Sequence, residues 1–361
     1  MKRLQSPSSG VIGALVAIAI ALSFNGAALA QQVPTMNATH VERISMDPFD
    51  PTWSTAPVAV VPLTAQLVAL PRLSVPTVST VYVRALNDGE RIGFRLDWDD
   101  PTRDASAIRP SDFRDAAAVM VVSGQGVPNI CMGSPGQATN LWHWKADWQE
   151  DIDKGYQEVV DAYPNFFKDY YPFVTGTPPF RLPADFSSAD ARRYLIGQAA
   201  GNPLSQPNRI SPVEEMLSAG FGTTTHRTQQ TVEGKGVWAD GRWQVTFVRP
   251  LVTTGAEAAS LGGVTQAPVA FAVWNGSNAE VGARKQLSGM ATVRILGPAP
   301  ALPPGPPPAP PQPFTGPRFI WDWWLIVLLI GIPVVLVAAG ALGEWQGRRA
   351  YERTRRRHGD E

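Results

Sequence analysis

Residues 78–98 read VSTVYVRALNDGERIGFRLDW, and this stretch carries the strongest structural signal in the chain. The turn sequence Asn87-Asp88-Gly89 separates two runs that are rich in β-branched and aromatic residues, which is typical of a β-hairpin. The second run alternates strictly, and its two faces consist of Ile92, Phe94, Leu96 and Trp98 against Arg91, Gly93, Arg95 and Asp97. Such alternation predicts an antiparallel pair that packs one face on the core and leaves the other in solvent.

Similar short runs continue along the chain after this hairpin. They cover residues 116–122, 236–238, 243–249, 269–274 and 292–296, with turn sequences such as Ala239-Asp240-Gly241 between them. Many short strands joined by turns are typical of a β-sandwich. We therefore predict a mainly β fold, an antiparallel β-sandwich.

The segment between Trp148 and Gly220 has a different composition, because it combines aromatic residues with several prolines and lacks the strand pattern. Its sequence predicts a helix over residues 151–163 and a second, short helix over residues 212–219. A long insertion of this kind in a sandwich is more often functional than ornamental. We therefore expect an inserted helical and aromatic segment with a role in function.

The first thirty residues resemble an export signal. Lys2 and Arg3 precede an apolar run at residues 11–24, and the small-x-small sequence Ala28-Leu29-Ala30 follows it. This order predicts a signal peptide over residues 1–30 that is cleaved after Ala30. An uncleaved N-terminal anchor is the alternative, and both interpretations place the following segment outside the cytoplasm.

The C-terminal part predicts a membrane anchor. Residues 323–343 hold 21 uncharged residues, with tryptophans at their start and six arginines in the following residues 344–361. This pattern predicts a single transmembrane helix of the inner membrane with a basic cytoplasmic tail. Residues 298–317 contain eleven prolines in twenty residues and predict an extended stalk. The main domain, residues 31–297, would then lie on the periplasmic or extracytoplasmic side.

Composition excludes several functions. Residues 31–322 carry 23 basic and 27 acidic residues, and this mildly acidic balance argues against a nucleic acid partner. The single Cys131 permits no internal disulfide, and without a Cys-x-x-Cys-His motif an ordinary covalent c-type haem is excluded. Neither a Gly-x-Ser-x-Gly elbow nor a phosphate-binding glycine loop is present, so a hydrolase or nucleotide enzyme has no support.

Two clusters contain residues that could bind a cofactor. In the first, Met132 follows Cys131 in a turn rich in glycine and proline, where a methionine either packs in the core or presents its thioether to a haem iron. In the second, Lys235 lies between two glycines at the start of a predicted strand, where the backbone can approach a bulky group closely. An ordinary solvated turn is the other interpretation of Lys235.

The order of several short motifs resembles the haem-b-binding gamma subunits of ethylbenzene dehydrogenase, dimethylsulfide dehydrogenase, and chlorate and selenate reductases. These subunits are partners of molybdoenzymes of the dimethylsulfoxide reductase type. The resembling pieces are RLDWDD at 95–100, DAAAV at 115–119, CMG at 131–133, LWHWKAD at 141–147, GKGVW at 234–238, DGRW at 240–243, RPL at 249–251 and AFAVWNG at 270–276. No single piece is specific, and the resemblance depends on their shared order.

This resemblance implies a β-sandwich that holds one non-covalent haem b between a methionine and a lysine. By position, Met132 and Lys235 match the two ligands, while His143 and Lys145 compete with Lys235, and Trp144 is expected to contact the haem. Two axial protein ligands leave no open position on the iron, which makes an electron carrier rather than a catalyst. The implied partners are molybdenum and iron–sulfur oxidoreductase subunits or another cytochrome.

Two other functions are compatible with the same sequence. A sandwich could bind carbohydrate if Trp142, Trp144, Trp238 or Trp274 formed an exposed stacking platform. A purely structural anchor for a complex, with a haem site that has decayed, is the weaker alternative. Haem binding instead requires that the two ligand side chains face each other across a slot.

Overall fold

The computed structural model describes residues 34–122, 132–134, 137–164, 188–253 and 259–297. These ranges contain thirteen strands: β1 (Thr35–His40), β2 (Ala59–Ala65), β3 (Thr80–Asn87), β4 (Arg91–Asp99), β5 (Ala116–Val122), β6 (Thr139–Lys145), β7 (Val213–Ser218), β8 (Thr225–His226), β9 (Glu233–Ala239), β10 (Arg242–Pro250), β11 (Gln266–Trp274), β12 (Gln286–Ser288) and β13 (Ala291–Ile295). The described helices are α1 (Ala146–Lys154), α2 (Val159–Ala162), α3 (Ala189–Tyr194) and α4 (Ile196–Ala199), with 3-10 turns at Pro51–Thr55, Pro203–Ser205 and Gly276–Asn278. The chain is therefore mainly β, as predicted.

All described strands join one hydrogen-bonded sheet, in which eleven follow the order β8-β7-β6-β5-β11-β12-β2-β3-β4-β10-β9, while β1 and β13 lie beside this path. Pairing is antiparallel throughout except at β1, which pairs in parallel with β13 and β3. The sheet folds over on itself, because Phe94 of β4 lies 5.8 Å from the Trp142 ring of β6 and 6.2 Å from the Phe271 ring of β11. These strands are not neighbours in the sheet, so the two halves pack face to face as a sandwich.

Aromatic side chains dominate the space between the two halves. Trp98, Trp144 and Trp243 are each at most 1% exposed and contact one another, with the Trp144 and Trp243 rings 4.8 Å apart. Each buried indole removes a large apolar area from water, and edge-to-face contacts add to this stabilisation. Trp243 also donates its indole N–H to buried Asp115, 2.9 Å away.

The predicted hairpin is confirmed, but the face of β4 that was expected to be exposed to solvent is partly covered. Strands β3 and β4 pair in register, and a three-residue connection with Gly89 at a φ of 87° joins them. However, Gly93 on the supposedly solvated face is buried, and a Cβ there would lie 3.0 Å from Trp53 and Ile44. The segment before β2 therefore covers this face with an apolar cluster of its own.

Both helix predictions in the insertion need correction. The helix expected at 151–163 is two helices, α1 and α2, because Gly155 at a φ of 98° ends the first. The helix expected at 212–219 is wrong, since these residues form β7 and pair with β6. Residues 165–187, which hold much of the predicted aromatic segment, lie outside the described residues.

Within the described ranges, the helices are all too short or too polar to cross a membrane. The predicted signal peptide, proline-rich stalk, transmembrane helix and basic tail, at residues 1–30, 298–317, 323–343 and 344–361, lie outside those ranges. These four assignments remain predictions from the sequence.

Candidate functional site

The outward face of strands β5 and β11 carries small side chains at its centre. Ala117, Val119 and Phe271 point inward and belong to the main core, so the alternating residues must point to the opposite side of the sheet. Those outward residues include Ala116, Ala118, Ala270 and Ala272, which we call the alanine face. The short side chains of these four alanines lie side by side, and each of them is only 3–9% exposed.

Met132 lies at one end of the alanine face. Its side chain is partly buried and packs against a cluster that includes Met120, Leu141 and Ala270. The backbone of Met132 has a φ of 68°, which is uncommon for any residue other than glycine. The Gly220 N–H donates to the Met132 carbonyl oxygen at 2.9 Å. Strain of this kind persists where the surrounding structure fixes it and is concentrated at functional sites.

The turn that holds Met132 requires a glycine next to it. Gly133 has a φ of 86°, and a Cβ there would come within 2.8 Å of the carbonyl oxygens of Gln137 and Ser218. Close contacts around Gly133 therefore constrain the backbone of the turn that carries Met132. Cys131 lies outside the described residues.

Lys285 lies at the other end of this face, one residue before β12. Its Nζ atom is 4.8 Å from the centroid of the Trp274 ring, and Trp274 is the outward neighbour of Ala272 along β11. Burial lowers the pKa of Lys285 from its ordinary 10.5 to about 8, and no carboxylate among the described residues opposes this shift. The lowered pKa makes it easier for this lysine to lose its proton, and the neutral amine is the form that binds a metal.

His143 lies beside the same tryptophan. Its ring centroid is 4.7 Å from that of Trp274, and it faces Ala118 across the ladder between β5 and β6. Its Nε2 atom is buried and has no hydrogen-bond partner among the described residues. Burial, reinforced by Lys145 and two further cations, holds the pKa of His143 well below its ordinary value. An orphaned, neutral imidazole nitrogen at this position fits a group that is bound to the face.

Lys235 is not brought to Met132. It lies on β9, at the edge of the opposite half of the sandwich, where its side chain is 45% exposed and its Nζ atom is 3.9 Å from Asp47. The glycine that follows it has a packing explanation, because a Cβ at Gly236 would collide with the Trp144 ring. Lys285, and not Lys235, therefore lies on the sheet face that carries Met132.

Lys145 and Trp144 have structural partners. Lys145 is 2% exposed, is paired with Glu214 and lies 3.7 Å from the centroid of the Trp148 ring. Burial lowers its pKa to about 8, against the opposing effect of Glu214. Trp144 points into the core rather than onto the alanine face. Of the predicted cofactor contacts, Met132 and His143 therefore share this face, and Lys145 at its margin is already paired.

The tryptophans proposed for carbohydrate stacking are not available to a sugar. Trp142 and Trp144 are fully buried, Trp274 is 6% exposed, and Trp238 is partly buried with its indole N–H donated to Asp100 O at 2.9 Å. A stacking platform needs exposed ring faces. The arrangement of these four side chains therefore argues against a carbohydrate-binding module.

The sequence pattern does not single out Lys285. It is one of only five lysines between residues 31 and 297, and it stands two residues before Leu287, which faces Ala272. Period-two spacing would have placed Lys285 and Leu287 on one side of a strand. The strand is three residues long, so the sequence pattern was too short to reveal it.

This fold and site define a β-sandwich that presents a soft thioether and a desolvated amine on one sheet face. Residues 50–286 match the family model described as ethylbenzene dehydrogenase, and the chain belongs to this family. The resemblance predicted from the sequence is thereby confirmed.

Individual relatives agree with this family. The chain is 28% identical over 293 residues to the Haloferax mediterranei protein ORF7, which bears the name of a respiratory nitrate reductase heme subunit, covering 80% of this chain and 83% of the relative. It is 25% identical over 279 residues to the chlorate reductase subunit gamma of Ideonella dechloratans. This match covers 74% of this chain and 89% of the relative. A solved family 9 carbohydrate binding module from Caldicellulosiruptor kristjanssonii, in complex with glucose, aligns with a TM-score of 0.32 at 8% identity, over 75% of this chain and all of the module.

Proposed function

We propose that this protein is a non-catalytic electron-transfer subunit that holds one non-covalent haem b on the alanine face, with Met132 and Lys285 as axial ligands. The observation that carries this proposal is Lys285, a desolvated lysine without a described acid partner on the same sheet face as Met132. Met132 packs against the cluster that contains Ala270, and Lys285 lies over the Trp274 ring. Ala270 and Trp274 are four residues apart along β11, roughly 13 Å. Both side chains are long enough to extend toward the alanines between them.

The donor set suits haem iron better than other metals. The described residues contain no group of three or more His, Cys, Asp or Glu side chains that could hold a metal ion. A thioether and a neutral amine are soft or borderline ligands of the kind that complete haem coordination. When bound, the haem would accept and release one electron.

The residues around the face would bind and orient the group. The four alanines provide room for a flat ring, while Trp274 supplies an apolar wall whose indole is fixed by donation to Gly282 O at 3.0 Å. The unpartnered Nε2 of His143 can hydrogen-bond to a polar edge of the group. With both axial positions filled by protein, no site remains for substrate, so the subunit carries electrons and does not catalyse.

We further propose that the partner is a molybdenum- and iron–sulfur-containing oxidoreductase, and that residues 323–343 anchor the subunit on the outer side of the inner membrane. The first part is supported by relatives whose names assign them to nitrate and chlorate reductases. The second is supported by the uncharged run of 21 residues and the arginines that follow it. A tether of this kind keeps the haem near membrane partners.

The test is the absorption spectrum of the full chain, produced with haem available, for the wild type and three variants. We expect a low-spin spectrum with a sharp α band on reduction in the wild type and in the control Lys235→Ala. Met132→Ala and Lys285→Ala should lose the low-spin bands while circular dichroism shows a folded chain. A spectrum lost in Lys235→Ala and kept in Lys285→Ala would return the ligand role to Lys235, and a colourless wild type would overturn the proposal.

A further inference from the structure

A group of exposed apolar side chains lies in the loop between β2 and β3. Leu67, Val68, Leu70 and Val75 are 57%, 69%, 78% and 70% exposed, and we call them the 67–75 surface. Single exposed apolar residues are ordinary in proteins, whereas a contiguous group marks a site of interaction. Four such side chains within nine residues therefore require an explanation.

The loop that carries this surface is fixed to the body of the protein. Buried Gln66 donates its side-chain amide to the carbonyl oxygens of Ala69 and Ala283, each at 2.8 Å. Its side-chain oxygen accepts the N–H groups of Val68 and Ala69, and Leu73 anchors the far side at 1% exposure. These hydrogen bonds fix the loop backbone while the apolar side chains stay exposed to solvent. A partner that binds them would therefore cause little loss of conformational entropy in the loop.

The same scaffold connects the loop to the proposed haem ligand. Gln66 N–H donates to the carbonyl oxygen of Lys285 at 3.0 Å. At the other end of the loop, Thr77 N–H donates to the side chain of Gln286 at 3.1 Å, and its hydroxyl donates to Glu280 at 2.8 Å. An electron passes between proteins only when the partner comes close to the cofactor, and the 67–75 surface adjoins the residue that would bind the iron.

Positive charge borders the apolar side chains. Arg72 is exposed within the loop, and Arg284, next to Lys285, donates to the Arg72 carbonyl oxygen at 3.5 Å. An apolar centre with a charged rim is the usual anatomy of a protein–protein interface. The complementary surface is an apolar patch with acidic side chains at its edge.

We propose that the 67–75 surface is where the redox partner subunit docks, through an apolar patch bordered by acidic residues. This inference rests on the proposed function, because it locates the partner next to the haem ligand. Electron-transfer encounters are commonly small, with less than about 1,200 Å² buried, and a few central side chains carry most of the binding energy. Four apolar side chains and one arginine are sufficient for such a contact.

The experiment uses the tagged full chain, purified from the cells that produce it. The double variant Leu67→Asp/Leu70→Asp places two charges in the surface, and the control is Ile210→Asp, because Ile210 is 96% exposed and precedes β7 on the far side of the sheet order. Haem is measured by its Soret absorbance and the co-purified partner by molybdenum per haem. We expect unchanged haem in both variants and at least a tenfold loss of molybdenum in the double variant alone.

The outcomes separate this inference from the proposed function. Equal molybdenum per haem in the wild type and the double variant would overturn docking at this surface. That result is expected if the loop instead contacts lipid or a second copy of this chain. A wild type with haem but without molybdenum would overturn it as well. A wild type without haem would overturn the proposed function itself.

Discussion

The Nζ atom of Lys285 lies 4.8 Å from the centroid of the Trp274 ring, and no carboxylate among the described residues compensates its charge. The same indole contacts His143 and is held in place by a hydrogen bond to the Gly282 carbonyl oxygen. One fixed tryptophan thus positions the proposed lysine ligand and a buried imidazole at the end of the sheet face that carries Met132. This relationship supports the proposed cofactor site on the alanine face.

Haem uptake should depend on pH through Lys285. Its pKa of about 8 means that the amine is mostly protonated below pH 8 and must lose a proton before it binds the iron. We therefore expect the haem affinity of the apoprotein to rise about tenfold per pH unit up to pH 8 and to level off above it. Haem titrations between pH 6 and 9 measure this slope, and Lys285→Ala should remove it. An equal slope in the variant would contradict the role of the amine.

Filling the alanine face should exclude the cofactor. Ala118 and Ala272 are neighbours across the ladder between β5 and β11, so Ala118→Leu places an isobutyl group in the space proposed for the ring. Overpacking of this kind costs about 1–3 kcal/mol, which a folded domain can tolerate. We expect loss of the Soret band with retained secondary structure, and full haem in the control Ala200→Leu, an exposed position. Normal haem content in Ala118→Leu would place the cofactor elsewhere.

The glycine beside Lys235 should prove structural. A Cβ at Gly236 would collide with the Trp144 ring in the core, so Gly236→Ala should destabilise the fold by about 1–3 kcal/mol. Gly289→Ala is the matched control, because a Cβ there meets nothing within 4 Å. Thermal unfolding of the two variants should show a lower midpoint for the first and an unchanged one for the second. Similar midpoints would mean that the close approach at Gly236 is not required.

The buried ion pair at Lys145 should be essential for stability. Glu214 pairs with Lys145 and accepts from His226 Nδ1 at 3.0 Å, and these contacts lower the pKa of Glu214 despite its burial. Glu214→Gln leaves a charged lysine in the protein interior, which typically costs about 3–5 kcal/mol. Urea unfolding measures the loss, with Glu233→Gln as the control because Glu233 is exposed. A loss below 1 kcal/mol would show that Lys145 is neutral in the folded chain.

Much of the sandwich could be predicted from the sequence, because alternating patterns and short continuous apolar runs both indicate strands. Residues 116–122 were predicted as a strand and form β5 with the same bounds. The failures have physical causes. Residues 213–218 contain Glu214 and Glu215, which suit a helix in isolation, yet both carboxylates find buried partners once this strand pairs with β6.

The candidate site was only half predictable. Met132 stands out in the sequence because it belongs to a local Met-Gly turn. Lys285 does not, since its burial depends on Trp274 of the neighbouring strand and on Gln66, which is more than two hundred residues away in the sequence. The flanking glycines of Lys235 have packing explanations, because a Cβ at Gly236 would meet the Trp144 ring and one at Gly234 would meet Val213 and Thr246.

The reduced-minus-oxidised absorption spectrum of the purified full chain, combined with extraction of the haem into acidified butanone, tests the central claim most directly. The account predicts one haem per chain, a sharp low-spin α band on reduction, and complete extraction, since the sequence has no Cys-x-x-Cys-His attachment motif. A folded but colourless chain, or a haem that remains with the protein after extraction, would contradict it.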